Sequence, residues 1–449
     1  MLLSIEKLIY GGDGLARTLP GADGRSMAVF VPFVLPGEKV EAETKQERPG
    51  FARASVVQLI EASPDRVNAH CRYFEQCGGC HYQHIPYQRQ LEFKAAILRE
   101  TLHRVAKIDL KSEIRLHPSP PWNYRNRVRL QVQTAPEFAL GYFQLGSHKF
   151  LPVRECPITS PLINRIMARL LELHGLNCPS PVQEIELFAD ADDEHLLAWA
   201  FCGQEANHED LLHWADVFRH ELPEIIGITF FSSRRRLEDD EAQIETKSLA
   251  QSGANVILYR TSDREYQVSA GAFFQVNRYL IDELVSVVTG NATGDLALDL
   301  YAGVGLFSAV LAQNFHHILG VEASQTSYAD FVQNVPANVK AVGARTEDYL
   351  TESYLTNDYR RSDPRKSGSV RKRPDLVVLD PPRAGAGKAV VRSLVELGAP
   401  LIRYVSCDPA TLGRDLRPFL AAGYRIEEAH LFDLFPQTFH IESVMLLAR

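Results

Sequence analysis

The C-terminal third of the sequence alternates short apolar runs with longer amphipathic stretches. Five apolar runs, each beside a plausible helix, lie at residues 296–300, 318–321, 339–342, 376–379 and 401–405. Uninterrupted apolar runs are typical of parallel strands buried on both faces. The pattern predicts a doubly wound α/β sheet, and two last runs, at residues 425–431 and 442–447, predict an antiparallel hairpin at one edge.

The first sixty residues have the pattern of β structure. Apolar runs at residues 29–34 and 55–60 are separated by turn signals, which are Gly-Gly-Asp-Gly at 11–14 and Pro-Gly at 20–21 and 36–37. Closing a small sheet removes its exposed edges. We therefore predict an OB-like, all-β barrel over residues 1–62.

Residues 63–265 mix helical and strand patterns. Short strands are predicted at 184–188, 196–201 and 226–231, and helices at 162–173 and 210–219. This mixture indicates a central α+β domain, followed by the α/β domain at 266–449.

Two elements of the central region are basic. A helix at 87–106, which is a candidate to pack on the C-terminal domain, carries Lys94 among its polar positions. A strand at 125–133 places Arg125, Arg127 and Arg129 on the face opposite to its apolar residues. These arginines, with Trp122 and Tyr124 before them, are candidate RNA contacts, and a solvated strand face is the equal alternative.

Length and composition narrow the class of protein. The chain has 449 residues, 45% of them hydrophobic and 23% charged, which is typical of a globular protein of two to four domains and excludes collagenous, disordered and disulfide-scaffold classes. No apolar run approaches the ~20 residues of a membrane helix, and residues 1–12 lack the features of a secretory signal. We expect a cytoplasmic protein without membrane segments.

The charge balance is uneven along the chain. Lys+Arg 48 against Asp+Glu 56 gives a net charge of −8, which taken alone argues against nucleic acid as a partner. Residues 89–130, however, carry ten Lys/Arg against four Asp/Glu, and residues 360–373, a predicted surface loop, carry seven against one. Net charge is a sum over domains, so these stretches leave RNA binding open.

A glycine-containing turn lies where the first strand of the predicted α/β sheet leads into a helix. It is Asp-Leu-Tyr-Ala-Gly-Val-Gly at 299–305, and Glu322 ends the next strand, where a carboxylate can accept ribose hydroxyl groups. A merely structural turn is the alternative. Ser308 stands where a dinucleotide fingerprint has its third glycine, which favours S-adenosylmethionine over NAD.

Two polar motifs each follow a predicted strand. Asp380 begins Asp-Pro-Pro-Arg after the run at 376–379, and Cys407 lies in Ser-Cys-Asp-Pro after the run at 401–405. Ligands of open α/β sheets lie at the carboxyl ends of the strands, so both motifs face the crevice of the glycine turn. Cys407 is a candidate nucleophile, and a small buried packing residue is the alternative.

Three of the seven cysteines are clustered. Cys71, Cys77 and Cys80 have the spacing Cys-x5-Cys-x2-Cys, and Cys156 is a plausible distant fourth ligand. Four thiolates suit zinc or a [4Fe–4S] cluster equally, and a site without metal is a third possibility. Cys178 and Cys202 have no motif partners and are expected to be packing residues.

Five motifs resemble, in order, those of the RNA uridine-C5 methyltransferases. They are Phe-Gln-Val-Asn at 274–277, the turn at 299–305, Asp-Pro-Pro-Arg at 380–383, Ser-Cys-Asp-Pro at 406–409 and Phe-Pro-Gln-Thr-Phe-His-Ile-Glu at 435–442. The N-terminal portion resembles the TRAM barrel and iron–sulfur segment of the bacterial 23S rRNA (uracil-5-)-methyltransferases in that family. The resemblance implies a class I, Rossmann-like methyltransferase domain at 266–449.

The same resemblance implies roles for individual residues. Cys407 matches the nucleophile that adds to uracil C6, and Glu442 matches the base that removes the C5 proton. By its sequence context alone, Glu442 is instead expected to be an exposed charge at the start of a strand. The residues after Cys77, Gly-Gly-Cys-His-Tyr-Gln-His, resemble the cluster-bearing members. They imply a [4Fe–4S] cluster held by Cys71, Cys77, Cys80 and Cys156.

For S-adenosylmethionine the resemblance implies four contacts. Gln275 matches the residue at the methionine end, Tyr301 a pocket residue, Glu322 the ribose ligand, and Asp380 the residue between cofactor and substrate. Leu306 departs from several relatives, which carry Asn there. A second departure, Arg345, leaves that residue outside the expected site.

The partner implied is RNA, most specifically 23S rRNA, modified by a monomer. A base must leave the helical stack to reach such a site. A tRNA T-loop uridine is the alternative target. Other functions considered are methylation of another base or of protein, RNA binding without catalysis and, least favoured, NAD-dependent oxidation.

Overall fold

The computed structural model describes residues 1–20, 26–203, 205–238, 241–353 and 373–449. Most of the predicted basic loop at 360–373, and Gly21 of one predicted turn, lie outside these residues. No helix in the described ranges is long and apolar enough to cross a membrane.

The N-terminal residues form a six-stranded sheet. In spatial order its strands are Leu2–Ser4, Lys39–Arg48, Phe51–Glu61, Ala28–Val31, Gly14–Arg17 and Lys7–Leu8. The two strands at the ends of this order are consecutive in the chain and are separated by only Ile5 and Glu6. The sheet must therefore curl until its edges meet, around a core that contains Leu3, Val29 and Val40.

A seven-stranded sheet occupies the centre of the chain. Its spatial order is Phe150–Pro152, Ala139–Phe143, Arg127–Gln133, Val182–Ala189, Leu196–Cys202, Ile225–Glu238 and Glu241–Gly253. One neighbouring pair is parallel, Leu196–Cys202 with Ile225–Glu238, and the other pairs are antiparallel. The helices of this region are Pro161–Glu172, His208–Glu221 and the short 3-10 turn His174–Leu176.

The C-terminal sheet has eight strands. Its spatial order is Val339–Gly343, Phe315–Glu322, Gly294–Leu300, Leu376–Leu379, Leu401–Ser406, Glu442–Ala448, Arg425–Phe432 and Ile114–His117. The first five are parallel, and Glu442–Ala448 is antiparallel to both of its neighbours. The predicted doubly wound sheet with an antiparallel pair is thus confirmed.

The helices of the C-terminal region connect its strands. They are Ile281–Thr289, Leu306–Leu311, Gln325–Asn334, Thr346–Asp348, Gly387–Leu397 and Pro409–Ala421, with one π-helical turn at Tyr349–Ser353. Buried aliphatic side chains lie on both faces of the sheet, in two large clusters. This arrangement leaves the carboxyl ends of the parallel strands open for a site.

The C-terminal sheet takes a strand from outside the C-terminal third, which the sequence pattern did not predict. Ile114–His117 pairs in parallel with Arg425–Phe432. A separate hairpin joins Val256–Arg260 to Glu265–Ser269, so the expected boundary between residues 265 and 266 falls inside a strand. The strand Ile114–His117 therefore links the region of the expected central domain to the sheet of the expected C-terminal domain.

The predicted basic helix is observed at Tyr87–Ala106, but one of its charges faces the protein interior. The helix packs on Pro409–Ala421, where Gly413 lies against Leu102. Lys94, expected on a polar face, is completely buried, and its Nζ lies 2.6 Å from Asp433 Oδ1. Lys94 therefore cannot contribute to a basic RNA-binding surface.

Candidate active site

The six residues expected to take part in catalysis and cofactor binding line one cavity. The cavity has a volume of about 540 Å³. It opens at the carboxyl ends of the parallel strands. The six residues are Gln275, Tyr301, Glu322, Asp380, Cys407 and Glu442.

The glycine turn shapes one wall of the cavity. Gly303 and Gly305 have φ angles of +56° and +88°, a region that favours glycine. A side chain at Gly305 would also collide with the Phe331 ring, which lies 2.4 Å from the position of an added Cβ. The Gly303 N–H donates to Glu322 at 2.8 Å, and the Ser324 N–H donates to the same carboxylate at 2.6 Å. Glu322 is thereby oriented, while a carboxylate retains further acceptor capacity.

Ser308 has a specific partner in the structure. Its hydroxyl donates to Asp299 at 2.6 Å, and Asp299 is fully buried beneath the turn. Burial raises the pKa of Asp299 to about 6. The residue that replaces a third glycine therefore stabilises a buried carboxylate.

The sheet register brings Cys407 and Glu442 side by side. Ser406 pairs with Ser443, so the next residue on each strand toward the cavity is Cys407 or Glu442. Glu442 is only 7% exposed, which contradicts the expectation of an exposed charge from its sequence context. Because it is buried next to Asp380, its pKa is raised well above the usual range. Such a carboxyl group holds a proton more readily than a solvated one.

The thiol of Cys407 lies in an environment that resists ionisation. Burial, followed by the nearby Glu442 and Asp380, raises the pKa of Cys407 to about 12. Burial and Asp299 raise the pKa of Asp380 to about 7. The cavity therefore concentrates carboxyl groups around a thiol, which is the type of perturbed cluster found at functional sites.

Arg383 and His440 face these acidic groups. Arg383 is the only lysine or arginine among the described residues that line the cavity. Its guanidinium lies 3.5 Å from the His440 ring, and burial together with this charge lowers the pKa of His440 to about 3. His440 is therefore neutral at physiological pH, able to donate and accept one hydrogen bond each.

The N-terminal sheet also reaches this site. The Tyr10 hydroxyl donates to the backbone carbonyl of Cys407 at 3.2 Å, and the Tyr10 ring meets Phe439 edge to face. Nothing in the sequence pattern joins residue 10 to residue 407.

A family model described as tRNA (uracil-5-)-methyltransferase matches residues 86–449. The chain belongs to this family. The resemblance to RNA uridine-C5 methyltransferases, noted from five motifs, is thus confirmed at the level of the family.

Two bacterial relatives are similar to this methyltransferase over nearly their whole length, and both are described as uncharacterized RNA methyltransferases. That of Caldanaerobacter subterraneus is 30% identical over 466 residues, covering 100% of this chain and 97% of the relative. That of Halalkalibacterium halodurans is 29% identical over 469 residues, covering 99% and 96%. Among solved structures, the tRNA (uracil-54, C5)-methyltransferase of Pyrococcus abyssi in complex with S-adenosyl-L-homocysteine matches with a TM-score of 0.72 and 26% identity, covering 100% of both chains.

The four clustered cysteines of this methyltransferase line a second cavity, of about 390 Å³. In the described ranges, no three His, Cys, Asp or Glu side chains stand close enough to count as a metal-binding group. Backbone N–H groups of Tyr73 and Gly79 nevertheless donate to the sulfurs of Cys71 and Cys77, both at 3.4 Å. Four thiols with N–H donors directed at sulfur have the donor chemistry that suits a metal–thiolate group.

Burial and the crowding of the thiols disfavour free thiolates in this second cavity. Burial, with the nearby Cys156, raises the pKa of Cys80, and burial raises the pKa of Cys77 to about 11. A bound cation would reverse this preference, because metals bind the deprotonated form. The donor chemistry of these residues therefore agrees with the group that the resemblance implies, although in the described part of the chain their arrangement does not form a metal-binding group.

Three of the five residues that were expected to contact RNA instead contact other residues of the protein. Arg127 is 9% exposed, pairs with Glu186 at 2.6 Å and lies over the Trp199 ring. Tyr124 is fully buried, and its hydroxyl donates to the Pro436 carbonyl. Arg129 is half exposed but also pairs with Glu186. The alternation of the strand predicted the correct faces, but on the arginine face Arg127 is buried against the protein and Arg129 is only partly open to solvent.

Four further residues that were singled out in the sequence have defined surroundings in the structure. Leu306 is buried and lines the first cavity, so it contributes an apolar contact where relatives carry Asn. Arg345 lies 3.9 Å from Glu347 and does not line the cavity, as expected. Cys178 and Cys202 pack in or against the core of the central sheet.

Phe273, Phe435 and His440 also line the cavity. The sequence motifs gave no role to Phe435 or His440 and did not include Phe273. Phe435 and His440 lie in the same motif as Glu442, at residues 435–442, and this proximity in the sequence was a signal that could have placed them at the site. Phe273 precedes the Phe-Gln-Val-Asn motif and is 61% exposed. An exposed aromatic residue beside a site is a signal that only the structure provides.

Proposed function

We propose that this protein methylates C5 of a uridine in 23S rRNA, with S-adenosylmethionine as the methyl donor. The observation that carries the proposal is the convergence of Cys407 and Glu442 on one cavity with the four expected cofactor residues. Family membership supplies the reaction class, and the solved relative was crystallised with S-adenosyl-L-homocysteine.

The chemistry requires both a nucleophile and a base. Uracil C5 is too weak a nucleophile to accept a methyl group unaided. Addition of the Cys407 thiolate at C6 places an electron pair at C5 as an enolate. S-adenosylmethionine, when bound, supplies an electrophilic methyl group that C5 can attack.

Glu442 completes the reaction after methyl transfer. Its carboxylate removes the proton from C5, the C5–C6 double bond forms again, and the C6–S bond breaks to release Cys407 as a thiolate. The raised pKa of Glu442 suits this role, because a carboxylate with an ordinary pKa is too weak a base to remove a proton from carbon readily. The side-by-side placement of Cys407 and Glu442 lets both reach one ring.

Four residues are proposed to hold the cofactor. Glu322, oriented by the Gly303 N–H, would accept the ribose hydroxyl groups, and Tyr301 would line the pocket. Gln275 would hold the methionine end. Asp380, between Asp299 and Glu442, would lie where cofactor and uracil meet.

The domain organisation, the oligomeric state and the cysteine site are also matters that we propose. We propose that residues 1–62 form a TRAM-like barrel, that residues 63–265 form a central domain and residues 266–449 the catalytic domain, and that the protein acts as a monomer. We also propose that Cys71, Cys77, Cys80 and Cys156 hold a [4Fe–4S] cluster, whose role is structural or RNA-contacting since the reaction needs no electron transfer.

A tRNA uridine is the second candidate target. The family description and the whole-length similarity to a tRNA (uracil-54, C5)-methyltransferase favour it. The resemblance of the N-terminal and cysteine segments to 23S rRNA enzymes favours ribosomal RNA. Mapping of 5-methyluridine by mass spectrometry in both RNAs of a deletion strain separates them, since only the true target loses the modification.

The catalytic assignment is tested with Cys407→Ala. We expect no methyl transfer and no denaturant-resistant adduct with RNA containing 5-fluorouridine, whose C5 fluorine cannot leave as a proton does. S-adenosylmethionine binding by calorimetry should be retained. Cys178→Ala, which removes a packing thiol, is the matched control and should keep activity. Turnover by Cys407→Ala would disprove the assignment.

A further inference from the structure

The connection between the strands Arg425–Phe432 and Glu442–Ala448 is held by hydrogen bonds from residues far away in the sequence. This connection, residues 433–441, which we name the base loop, contributes Phe435 and His440 to the cavity and leads directly into Glu442. It contains no helix or strand. Three hydrogen bonds link Phe435, Thr438 and His440 within the loop, and the other contacts that shape it come from distant segments.

Five successive carbonyl groups of the base loop accept hydrogen bonds from distant residues. The donors are Asn277 to residues 433 and 434, at 3.4 and 3.1 Å, Lys94 to residue 435 at 3.0 Å, Tyr124 to residue 436 at 3.0 Å, and the His81 and Tyr82 N–H groups to residue 437 at 2.8 and 2.9 Å. Except for Asn277, every donor comes from residues 81–124. The first five residues of the loop therefore cannot shift without leaving polar groups unpaired.

Gln437 is the most constrained residue of the base loop. Its φ angle is +67°, which is unfavourable for a residue with a side chain. Its N–H donates to Gln90 Oε1 and its Oε1 accepts from Gln90 Nε2, both at 3.0 Å. Gln90 and Gln437 are both buried, so this reciprocal amide pair is shielded from water. The pair holds the strained backbone in place.

We propose that Gln90, Lys94 and Tyr124 are positioning residues that hold the base loop, so that Phe435, His440 and Glu442 keep their places around the uracil ring. This inference rests on the proposed function of Glu442. The three side chains are not among the residues that line the cavity, and they act through the loop. The segment that carries Cys77 and Cys80 is joined to the loop by His81 and Tyr82.

The test compares Gln90→Leu with the wild-type protein, using the full chain purified anaerobically and 23S rRNA from a deletion strain. We expect kcat to fall by about tenfold to a hundredfold, since small misplacements of catalytic groups have effects of this size. A denaturant-resistant protein–RNA adduct should accumulate, because removal of the C5 proton slows more than thiolate addition. Adduct formation with 5-fluorouridine RNA, which needs no proton removal, should stay at the wild-type level.

Two further variants keep the test decisive. Gln131→Leu removes a glutamine that is only partly buried and that donates to Glu184 in the central sheet, and this variant should show no adduct. Tyr124→Phe removes a single hydroxyl group and should show the same adduct to a smaller degree, even if Gln90→Leu folds poorly.

The possible results separate this inference from the proposed function. Absence of the adduct in both Gln90→Leu and Tyr124→Phe, with Glu442→Gln giving one, would overturn the positioning role alone. Absence of the adduct in Glu442→Gln would instead remove Glu442 from the base role.

Discussion

At the scale of single residues, the candidate active-site cavity combines the proposed nucleophile with groups that oppose its ionisation. Cys407, Asp380 and Glu442 share one end of the sheet, and burial dominates the pKa shift of each. The identities of these residues were predicted from short motifs. Their protonation behaviour was not, because it depends on burial and on neighbours that approach from other strands.

We expect Glu442→Gln to make Cys407 more reactive while abolishing turnover. The Glu442 carboxyl group, when it is ionised, disfavours a thiolate beside it, so Glu442→Gln should lower the pKa of Cys407 and raise the thiolate fraction at a given pH. Alkylation by iodoacetamide, followed on the Cys407 peptide by mass spectrometry between pH 7 and pH 10, should be several-fold faster in the variant. In both proteins the rate should rise with pH, as expected below the thiol pKa. A slower or unchanged rate in Glu442→Gln would contradict this coupling.

At the scale of elements, the helix Tyr87–Ala106 joins the cysteine segment to the catalytic sheet. Its apolar periodicity predicted the helix and the burial of Leu91, Leu98 and Leu102 correctly. The same periodicity placed Val105 in the apolar stripe, yet Val105 is 39% exposed, whereas Gln90 and Lys94 are buried. Periodicity describes one helix alone, and polar residues can be buried where another element supplies partners.

The buried pair of Lys94 and Asp433 should be important for stability. Lys94→Met leaves Asp433 buried without its cation, and we expect a loss of about 3–5 kcal/mol in the free energy of unfolding. Lys7→Met, which breaks an exposed pair with Glu100 on the same helix, is the matched control, with an expected loss of at most about 1 kcal/mol. Denaturant unfolding measures both. Equal losses of unfolding free energy in the two variants would show that the buried pair stabilises the protein no more than the exposed pair does.

At the scale of the whole molecule, segments far apart in the sequence come together near Cys407 and the base loop. The N-terminal sheet reaches Cys407 through Tyr10, and residues 81–124 hold the base loop. Ile114–His117 extends the C-terminal sheet itself. The proposed catalytic unit is therefore assembled from widely separated parts of the chain, and a cut at residue 266 would remove several of them.

The four-cysteine cavity predicts a measurable metal content. Anaerobic purification should give a brown protein with about four irons per chain. Because this segment is hydrogen-bonded to the base loop, removal of the metal should lower the melting temperature and increase hydrogen exchange in residues 71–83 and 433–441. Cys156→Ala should reproduce these effects, and Cys202→Ala, a core cysteine, should leave the iron content unchanged. A colourless protein with one zinc would overturn the cluster assignment.

The sequence by itself determined the doubly wound sheet, the location of the motifs at its strand ends and the family to which the chain belongs. These follow from local periodicity and from the rule that strand ends form the binding edge. Only the tertiary structure decided which polar residues are buried. Glu442, Lys94 and Arg127 each look exposed in their local pattern, and each is buried by partners that lie far along the chain, 339 residues away in the case of Lys94 and Asp433. Burial depends on such distant partners, which a local pattern does not contain.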